Sequence, residues 1–263
     1  MSLKIYLVSR PCFDIDVFLS FLYDQETSWT RSTNITAPEE IVETAGRVCY
    51  MSFGKNQSPK TNAEYIQHLI QMEHESVLEH VNWSFLLTGV SRAFTHQLVR
   101  HRVGFAFSQL SQQYHDEKDA EFIEPSQLKE FPNAQAAWQR AVKEVKESYN
   151  EILKSLEEFE TKVGIGMQKR ESRRAIHSIA RSILPNATET KIFVTANARA
   201  LRHFLKIRGS IPGDQEMRQV SAELLKYLKV EAPSIFCDFD TNLLPDGSPV
   251  IVQVDMADTS TSK

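Results

Sequence analysis

Apolar positions along the chain recur mostly at helical spacing. Between Trp138 and Phe159 they follow alternating steps of four and three residues, as in a helix that packs along one side. We interpret this run as a structural helix-pairing seam whose inner members are Val142, Val145, Tyr149, Ile152 and Leu156. Similar spacing predicts the buried face of another helix at Met217, Val220, Leu224 and Leu228.

Other segments predict three strands and four further helices. The strands are "LKIYLVSR" (3–10), "VNWSFLLTGV" (81–90) and "KIFVTAN" (191–197), which are rich in β-branched and aromatic residues. The helices are "TAPEEIVETAGRVCY" (36–50), "NAEYIQHLIQM" (62–72), a basic helix over 168–185 stopped by Pro185, and "ARALRHFLKIR" (198–208) ended by Gly209. Thr36 is the predicted N-cap of the first of these helices.

Ser91 can cap one more helix, and we expect that helix to carry Gln97 and Arg100 on one face. No internal repeat and no long Gly, Ser or Pro linker divides the chain. We therefore predict a single α+β domain over residues 1–254, followed by a disordered tail over 255–263.

Composition limits the classes of function. The 263 residues include 24% charged side chains with a formal net charge of −4, so no overall positive field is available to hold nucleic acid or an anionic membrane. The three cysteines are far apart and lack zinc-ligand spacing, which predicts buried, inert thiols, no metal and a reducing cytoplasm. The first ten residues are too short and too charged for the apolar core of a signal peptide, and no apolar run reaches ~18 residues, so we expect neither export nor membrane insertion.

Positive charge is nevertheless concentrated locally. Between Lys169 and Arg208 there are ten Lys or Arg residues and only two acidic ones. One interpretation is a basic, solvated surface. The other is that several of these arginines converge with Arg100 and Arg102 on a phosphorylated ligand, because guanidinium groups match phosphate oxygens in pairs.

Two sequence motifs only partly match known sites. "GIGMQK" (164–169) begins like a dinucleotide-binding loop, but Lys169 replaces the last glycine. In "HESVLEH" (74–80) the histidines are six positions apart, which on a helix prevents them from sharing one metal ion. These mismatches disfavour a Rossmann site and a zinc protease site.

Several segments together resemble the flavin-dependent thymidylate synthases. The triplet Arg100-His101-Arg102 is followed after eight residues by Ser111, and this pattern resembles the family's signature. "HESVLEH", "THQLVRHR", "SQLSQQY", "ARSILP" and "NARALRHFLKIR" are similar to the family's other blocks and occur in the same order. The resemblance spans residues 48–229.

The resemblance implies a fold and a reaction. The expected fold is a central, mostly antiparallel sheet flanked by long helices, of the thymidylate synthase-complementing type. The expected reaction is the reductive methylation of dUMP to dTMP, with 5,10-methylenetetrahydrofolate as carbon donor and NADPH as reductant through FAD. It uses no cysteine nucleophile, and the family implies a cytoplasmic homotetramer with shared active sites that binds neither nucleic acid nor membrane.

The resemblance also assigns roles by position. Arg208 is the expected catalytic residue, which activates dUMP. The expected FAD contacts are Ser76, from a neighbouring subunit, and Arg100, His101, Arg102, Gln109, Asn197, Arg199 and His203. The expected dUMP contacts are Gln97, Arg100, Gln109, Leu110, Ser111, Gln112, Gln113, Arg181 and Arg208. Backbone N–H groups of the 109–112 loop and the Ser111 hydroxyl are expected to bind phosphate.

Three features depart from the family pattern. Gln113 replaces a common arginine, so we expect one phosphate contact to be weaker or supplied elsewhere. The gap before Ser111 is eight rather than seven residues, and Pro212 replaces an expected histidine. Two alternatives stay open at this point: a nucleic-acid-binding module that stacks bases on Phe105, Phe107 and Tyr114, and a related flavoprotein that has lost methylation.

Overall fold

A computed structural model describes residues 2–163 and 169–254. The chain groups into two compact units. The first unit comprises Met1–Lys4, Leu87–Arg100 and Phe107–Phe193, and the second comprises Ile5–Leu86, His101–Ala106 and Val194–Lys263. The single domain over 1–254 stays a prediction. The predicted tail over 255–263 and residues 164–168 of the glycine-containing motif lie outside the described residues.

A four-stranded sheet contains all three predicted strands. The strands are β1 (Lys4–Ser9), β2 (Asn82–Ser91), β3 (Phe105–Gln109) and β4 (Glu189–Asn197), in the order β1-β2-β4-β3. The α+β class with an antiparallel sheet is confirmed. β3 was not predicted, because its five residues are too few to give a clear alternating pattern.

The described part of the second unit has five α-helices: α1 (Ile15–Asp24), α2 (Ala37–Tyr50), α3 (Asn62–Gln71), α7 (Ala198–Arg208) and α8 (Gln215–Glu231). α1 was not predicted, although Asp14 caps it by accepting from the N–H of Val17 at 3.1 Å. The predicted start of α2 is confirmed, and the N–H of Thr36 donates to the Glu39 carboxylate at 3.0 Å. The four predicted core residues of α8 are all buried.

Charged pairs and a hairpin complete the core of the second unit. Arg202 donates to both carboxylate oxygens of Asp238, at 2.6 and 2.8 Å. Arg47 and Glu43 form a fully buried ion pair at 2.7 Å. β5 (Phe239–Leu243) and β6 (Pro249–Gln253) pair antiparallel. This hairpin was not predicted from the sequence. Its turn contains Gly247, whose φ of +74° suits a glycine.

The residues of the first unit that the structure describes form three α-helices: α4 (Arg92–Leu98), α5 (Pro132–Val163) and α6 (Lys169–Ala180). The seam on α5 is confirmed at Tyr149, Ile152 and Leu156, which pack with Ile176 and Ala180 of α6. The basic helix is shorter than predicted, because a 3₁₀ turn at Arg181–Ile183 follows Ala180. Among the described residues, no helix has both the length and the apolar character needed to cross a membrane.

Candidate active site

The residues predicted to form the site divide between the two units. Most of the predicted nucleotide contacts lie in the first unit: Gln97, Arg100, Gln109, Leu110, Ser111, Gln112, Gln113 and Arg181. Most of the predicted flavin contacts, together with Arg208, lie in the second: Ser76, His101, Arg102, Asn197, Arg199, His203 and Arg208. Each group has its own internal geometry.

In the second unit, the turn after the RHR triplet contacts the start of α7. The Gly104 carbonyl accepts from the N–H of Asn197 at 3.0 Å. Gly104 has φ of +73°, and a Cβ there would lie 2.7 Å from the Cβ of Ala200. Only glycine combines this backbone conformation with so close an approach. Asn197 also caps α7, since its Oδ1 accepts from the N–H of Ala200 at 2.8 Å.

His101 and Arg208 meet beside α7. The Arg208 Nε donates to the His101 Nε2 at 3.0 Å. The His101 ring centroid lies 5.3 Å from that of Phe204 and 6.3 Å from that of His203. Burial, and then the charges of Arg208 and His203, lower the pKa of His101. His101 is therefore neutral at pH 7 and can accept the hydrogen bond that orients Arg208.

Arg199 and Ser76 line one cavity in the second unit. Its volume is about 280 Å³, and it has an apolar wall that includes Leu69 and Val77. The Arg199 guanidinium donates to Glu79 at 2.6 Å and lies 3.5 Å from Glu75. The hydrogen bond that Arg199 donates to Glu79 raises the pKa of Arg199. The cavity thus combines an ion-paired guanidinium, the carboxylates of Glu73 and Glu75, a hydroxyl and an apolar surface.

In the first unit, the predicted nucleotide loop follows β3. Gln109 Nε2 donates to the hydroxyls of Thr95 at 3.0 Å and Thr190 at 3.3 Å. The N–H of Leu110 donates to the Lys191 carbonyl at 2.9 Å. Pairing with β4 therefore occupies the Leu110 donor, and phosphate binding by the other N–H groups of the loop stays a prediction.

Ser111 and its two successors form a compact turn. The Ser111 Oγ accepts from the N–H of Gln113 at 3.3 Å, and the Ser111 carbonyl accepts from the N–H groups of Tyr114 and His115. Gln112 is buried, and its Nε2 has no hydrogen-bond partner within the part of the chain that the structure describes. A buried donor without a partner is costly, which favours an acceptor supplied by a ligand.

Arg174 lies close to Gln113, the position at which the family resemblance led us to expect an arginine. The Gln113 Oε1 accepts from Arg174 Nε at 3.2 Å, and its Nε2 contacts Ser178 Oγ at 3.4 Å. The Arg174 guanidinium also lies 5.5 Å from the Tyr114 ring centroid. Arg174 therefore brings a guanidinium next to residue 113 within the same unit.

Gln97 and Arg100 do not share a helix face as predicted. α4 ends at Leu98, so Gln97 lies in its last turn, whereas Arg100 lies beyond the helix. The N–H of Arg100 donates to the Gln97 carbonyl at 3.2 Å. Val99 already closes the helix end, so the predicted helix stops short of Arg100.

Arg181 lies near a buried charged group that the sequence analysis missed. Burial lowers the pKa of Arg92, Glu117 opposes that shift, and the charge of Arg181 adds to it. Burial raises the pKa of Glu117. In the described segments, the buried Nη1 of Arg92 has no hydrogen-bond partner. Arg92 and Arg181 together form an environment that favours an anion.

The remaining predicted residues and the cysteines differ in exposure. Arg102 is exposed in the turn after the triplet.

Cys12 and Cys49 are exposed and Cys237 is half-buried, so the prediction of buried thiols is wrong. Burial raises the pKa of the Cys237 thiol, which disfavours the thiolate form. Across the described residues, no group of three or more His, Cys, Asp or Glu could hold a metal ion.

The family model described as thymidylate synthase complementing protein matches residues 32–234. The chain belongs to this family. A protein of Mycobacterium tuberculosis strain H37Rv named flavin-dependent thymidylate synthase is 40% identical over 232 residues, which is 88% of this chain and 90% of the relative. Proteins of the same name from Mycolicibacterium gilvum and Mycobacterium avium are 43% identical over 220 residues and 42% identical over 232 residues.

The match to the Mycolicibacterium gilvum protein spans 83% of this chain and 86% of that protein. The match to the Mycobacterium avium protein spans 88% of this chain and 90% of that protein. The resemblance inferred from the RHR triplet is therefore confirmed. The match to the thymidylate synthase complementing family includes every predicted site residue from Ser76 to Arg208. It also confirms the complementing type of α+β fold.

Proposed function

We propose that this chain is a flavin-dependent thymidylate synthase. It converts dUMP to dTMP, takes one carbon from 5,10-methylenetetrahydrofolate and uses NADPH as reductant through FAD. Family membership and the names of three relatives support this proposal. The contact that carries it best is the hydrogen bond from Arg208 to neutral His101, because it positions a guanidinium beside residues expected to hold the flavin.

The cavity of Ser76 and Arg199 fits part of a flavin nucleotide. The Ser76 hydroxyl can hydrogen-bond a polar edge of the ligand, while Leu69, Val77 and Tyr50 provide an apolar wall for a ring. When bound, the flavin supplies two-electron transfer. His101, Arg102, Asn197 and His203 are the other proposed contacts in this unit, and Arg100 and Gln109 are the proposed contacts in the first.

The nucleotide contacts are proposed in the first unit. The Ser111 hydroxyl and the guanidinium of Arg181 bind the dUMP phosphate, and Gln97 binds the base or sugar. Gln112 has a buried donor without a partner among the described residues, which suits an acceptor atom of the substrate. Gln109 has both amide hydrogens engaged by Thr95 and Thr190, so it acts mainly by holding the loop in place.

Arg208 acts on the uracil ring. A guanidinium beside the ring stabilises the anion that forms when the N3 proton is lost, and this anion is more nucleophilic at C5. His101 accepts from the Arg208 Nε and fixes the plane of the guanidinium. No cysteine attacks the substrate in this scheme, in agreement with the raised pKa of Cys237.

The active enzyme is proposed to be a cytoplasmic homotetramer whose sites are shared between subunits. Its partners are small-molecule substrates rather than nucleic acid or membrane. The net charge of −4 supports this choice, because nucleic acid binding relies on an overall or extended positive field.

The proposed function is tested by reducing the purified, flavin-loaded protein and following flavin reoxidation and dTMP formation. With dUMP and methylenetetrahydrofolate present, dTMP should form in proportion to enzyme. Deoxyuridine in place of dUMP is the control, because it lacks the phosphate. If flavin turns over while no dTMP forms, the chain is a related flavoprotein without methylation activity.

A further inference from the structure

A cavity of about 410 Å³ in the first unit is lined by cationic groups. Arg170, Arg173, Arg174 and His177 of α6 form one side, and Gln113 and Tyr114 of the loop after β3 complete the lining. The described residues of the lining include no carboxylate. Such a lining raises the local concentration of anions, because its three guanidinium groups are not offset by an acidic group among those residues.

The spacing of the three arginines and His177 places them on one face of α6. They occur at positions i, i+3, i+4 and i+7, which align along a helix. At 1.5 Å per residue, the row is about 10 Å long. It is therefore longer than a single phosphate and matches a ligand whose charges are spread along its length.

Two observations distinguish this row from an ordinary solvated helix face. His177 is only 5% exposed, and its Nδ1 has no hydrogen-bond partner among residues 2–163 and 169–254. Arg174 is held by Gln113 and lies over the Tyr114 ring, so its guanidinium is preorganised. Within those same residues, Arg170 and Arg173 form no ion pair.

We propose that this cavity binds an elongated polyanion through Arg170, Arg173, Arg174 and His177. Planar guanidinium groups bind phosphate and carboxylate oxygens in pairs. Gln113 is the one proposed nucleotide contact in the described lining, and the row of about 10 Å is longer than the single phosphate of dUMP. The choice of ligand rests on the proposed function, which has two co-substrates with such a chain of charges. One is the folate, through its oligo-γ-glutamate tail, and the other is NADPH, through its phosphates.

The first test measures binding directly and does not depend on turnover. Tripolyphosphate and inorganic phosphate are titrated into the holoenzyme by calorimetry, at low and at moderate salt. The test variant is Arg170→Gln with Arg173→Gln. The matched control is Arg140→Gln with Lys143→Gln, which removes the same charge from exposed positions of α5 in the same unit. Circular dichroism checks that each variant is folded.

Wild type and the α5 control should bind tripolyphosphate at least tenfold more tightly than the α6 variant. Wild type should also prefer tripolyphosphate to inorganic phosphate. Equal binding by wild type and the folded α6 variant would overturn the proposal. An equal loss in the α5 control would also overturn it, because the effect would then reflect net charge alone.

The second test distinguishes the two co-substrates. A rise in KM for triglutamyl but not monoglutamyl methylenetetrahydrofolate in the α6 variant identifies the folate tail. A rise in KM for NADPH but not NADH identifies the dinucleotide. A rise in KM for dUMP alone contradicts the proposal. If wild type forms no dTMP but binds tripolyphosphate through α6, the enzyme assignment fails while the polyanion cavity stands.

Discussion

Replacing Gly104 by alanine should disrupt the contact between the RHR turn and α7. The new Cβ would lie 2.7 Å from the Ala200 Cβ and from the Asn197 Nδ2. The left-handed backbone, with φ of +73°, costs a residue with a Cβ about 1–2 kcal/mol. Overpacking at such a contact adds about 1–3 kcal/mol. Gly104→Ala should therefore lower the free energy of unfolding by about 2–5 kcal/mol.

Gly213→Ala is the matched control in the same unit. Gly213 has φ of +75°, and nothing lies within 4 Å of the position its Cβ would take. This variant should show only the backbone cost of about 1–2 kcal/mol. Urea unfolding followed by circular dichroism measures both variants, and flavin absorbance at equal protein concentration measures cofactor retention.

Gly104→Ala should also lose flavin, because His101 and Asn197 flank the displaced turn, whereas Gly213→Ala should retain it. Equal losses of unfolding free energy in the two variants would refute the reasoning. That result would mean that the approach of the turn to α7 contributes nothing beyond backbone conformation.

Three further outcomes are expected. Arg202→Ala should lower the free energy of unfolding by about 3–5 kcal/mol, because it leaves the buried Asp238 carboxylate unpaired; a loss under 1 kcal/mol in urea unfolding would contradict this. Ser111→Ala should retain turnover while weakening dUMP binding by about 1.5–3 kcal/mol; complete loss of turnover in a folded, flavin-loaded protein would indicate a nucleophilic serine instead. Because the pKa of His101 is lowered, its neutral form should stabilise the fold at neutral pH, and this contribution should be lost as the pH falls through that pKa. Turnover should decline in the same acidic range, whereas His101→Gln should remove this part of the pH profile; an unchanged profile would count against the interpretation.

Local patterns in the sequence predicted the long elements well. The seam on α5, the cap of α2 and the buried face of α8 depend on residues close together in the chain, and periodicity detects such features. The β5–β6 hairpin and β3 were missed because each strand has only five residues. Their stability depends on pairing with partners that spacing alone does not identify.

The site was only partly predictable for the same reason. The basic residues between positions 169 and 208 look equivalent in the sequence, yet they have different partners. Arg202 is buried against Asp238, Arg199 pairs with Glu79, and Arg174 is held by Gln113. These partners are 36, 120 and 61 positions away. The i, i+3, i+4, i+7 spacing on α6 was the one local signal that could have indicated the polyanion cavity.

The most direct test of the account compares Arg208→Ala with Lys206→Ala in the reduced, flavin-loaded protein. Both variants remove a positive charge from the last turn of α7, and Lys206 is exposed. Rapid-quench measurement of dTMP at saturating dUMP should show near-normal formation in Lys206→Ala. In Arg208→Ala the rate of dTMP formation should fall by at least ~100-fold while flavin is retained. The pH optimum of this variant should shift upward, because the uracil must then ionise unaided. Near-normal dTMP formation with an unchanged pH profile in Arg208→Ala would contradict the central claim and leave Arg208 as a helix-terminal residue that only supports the fold.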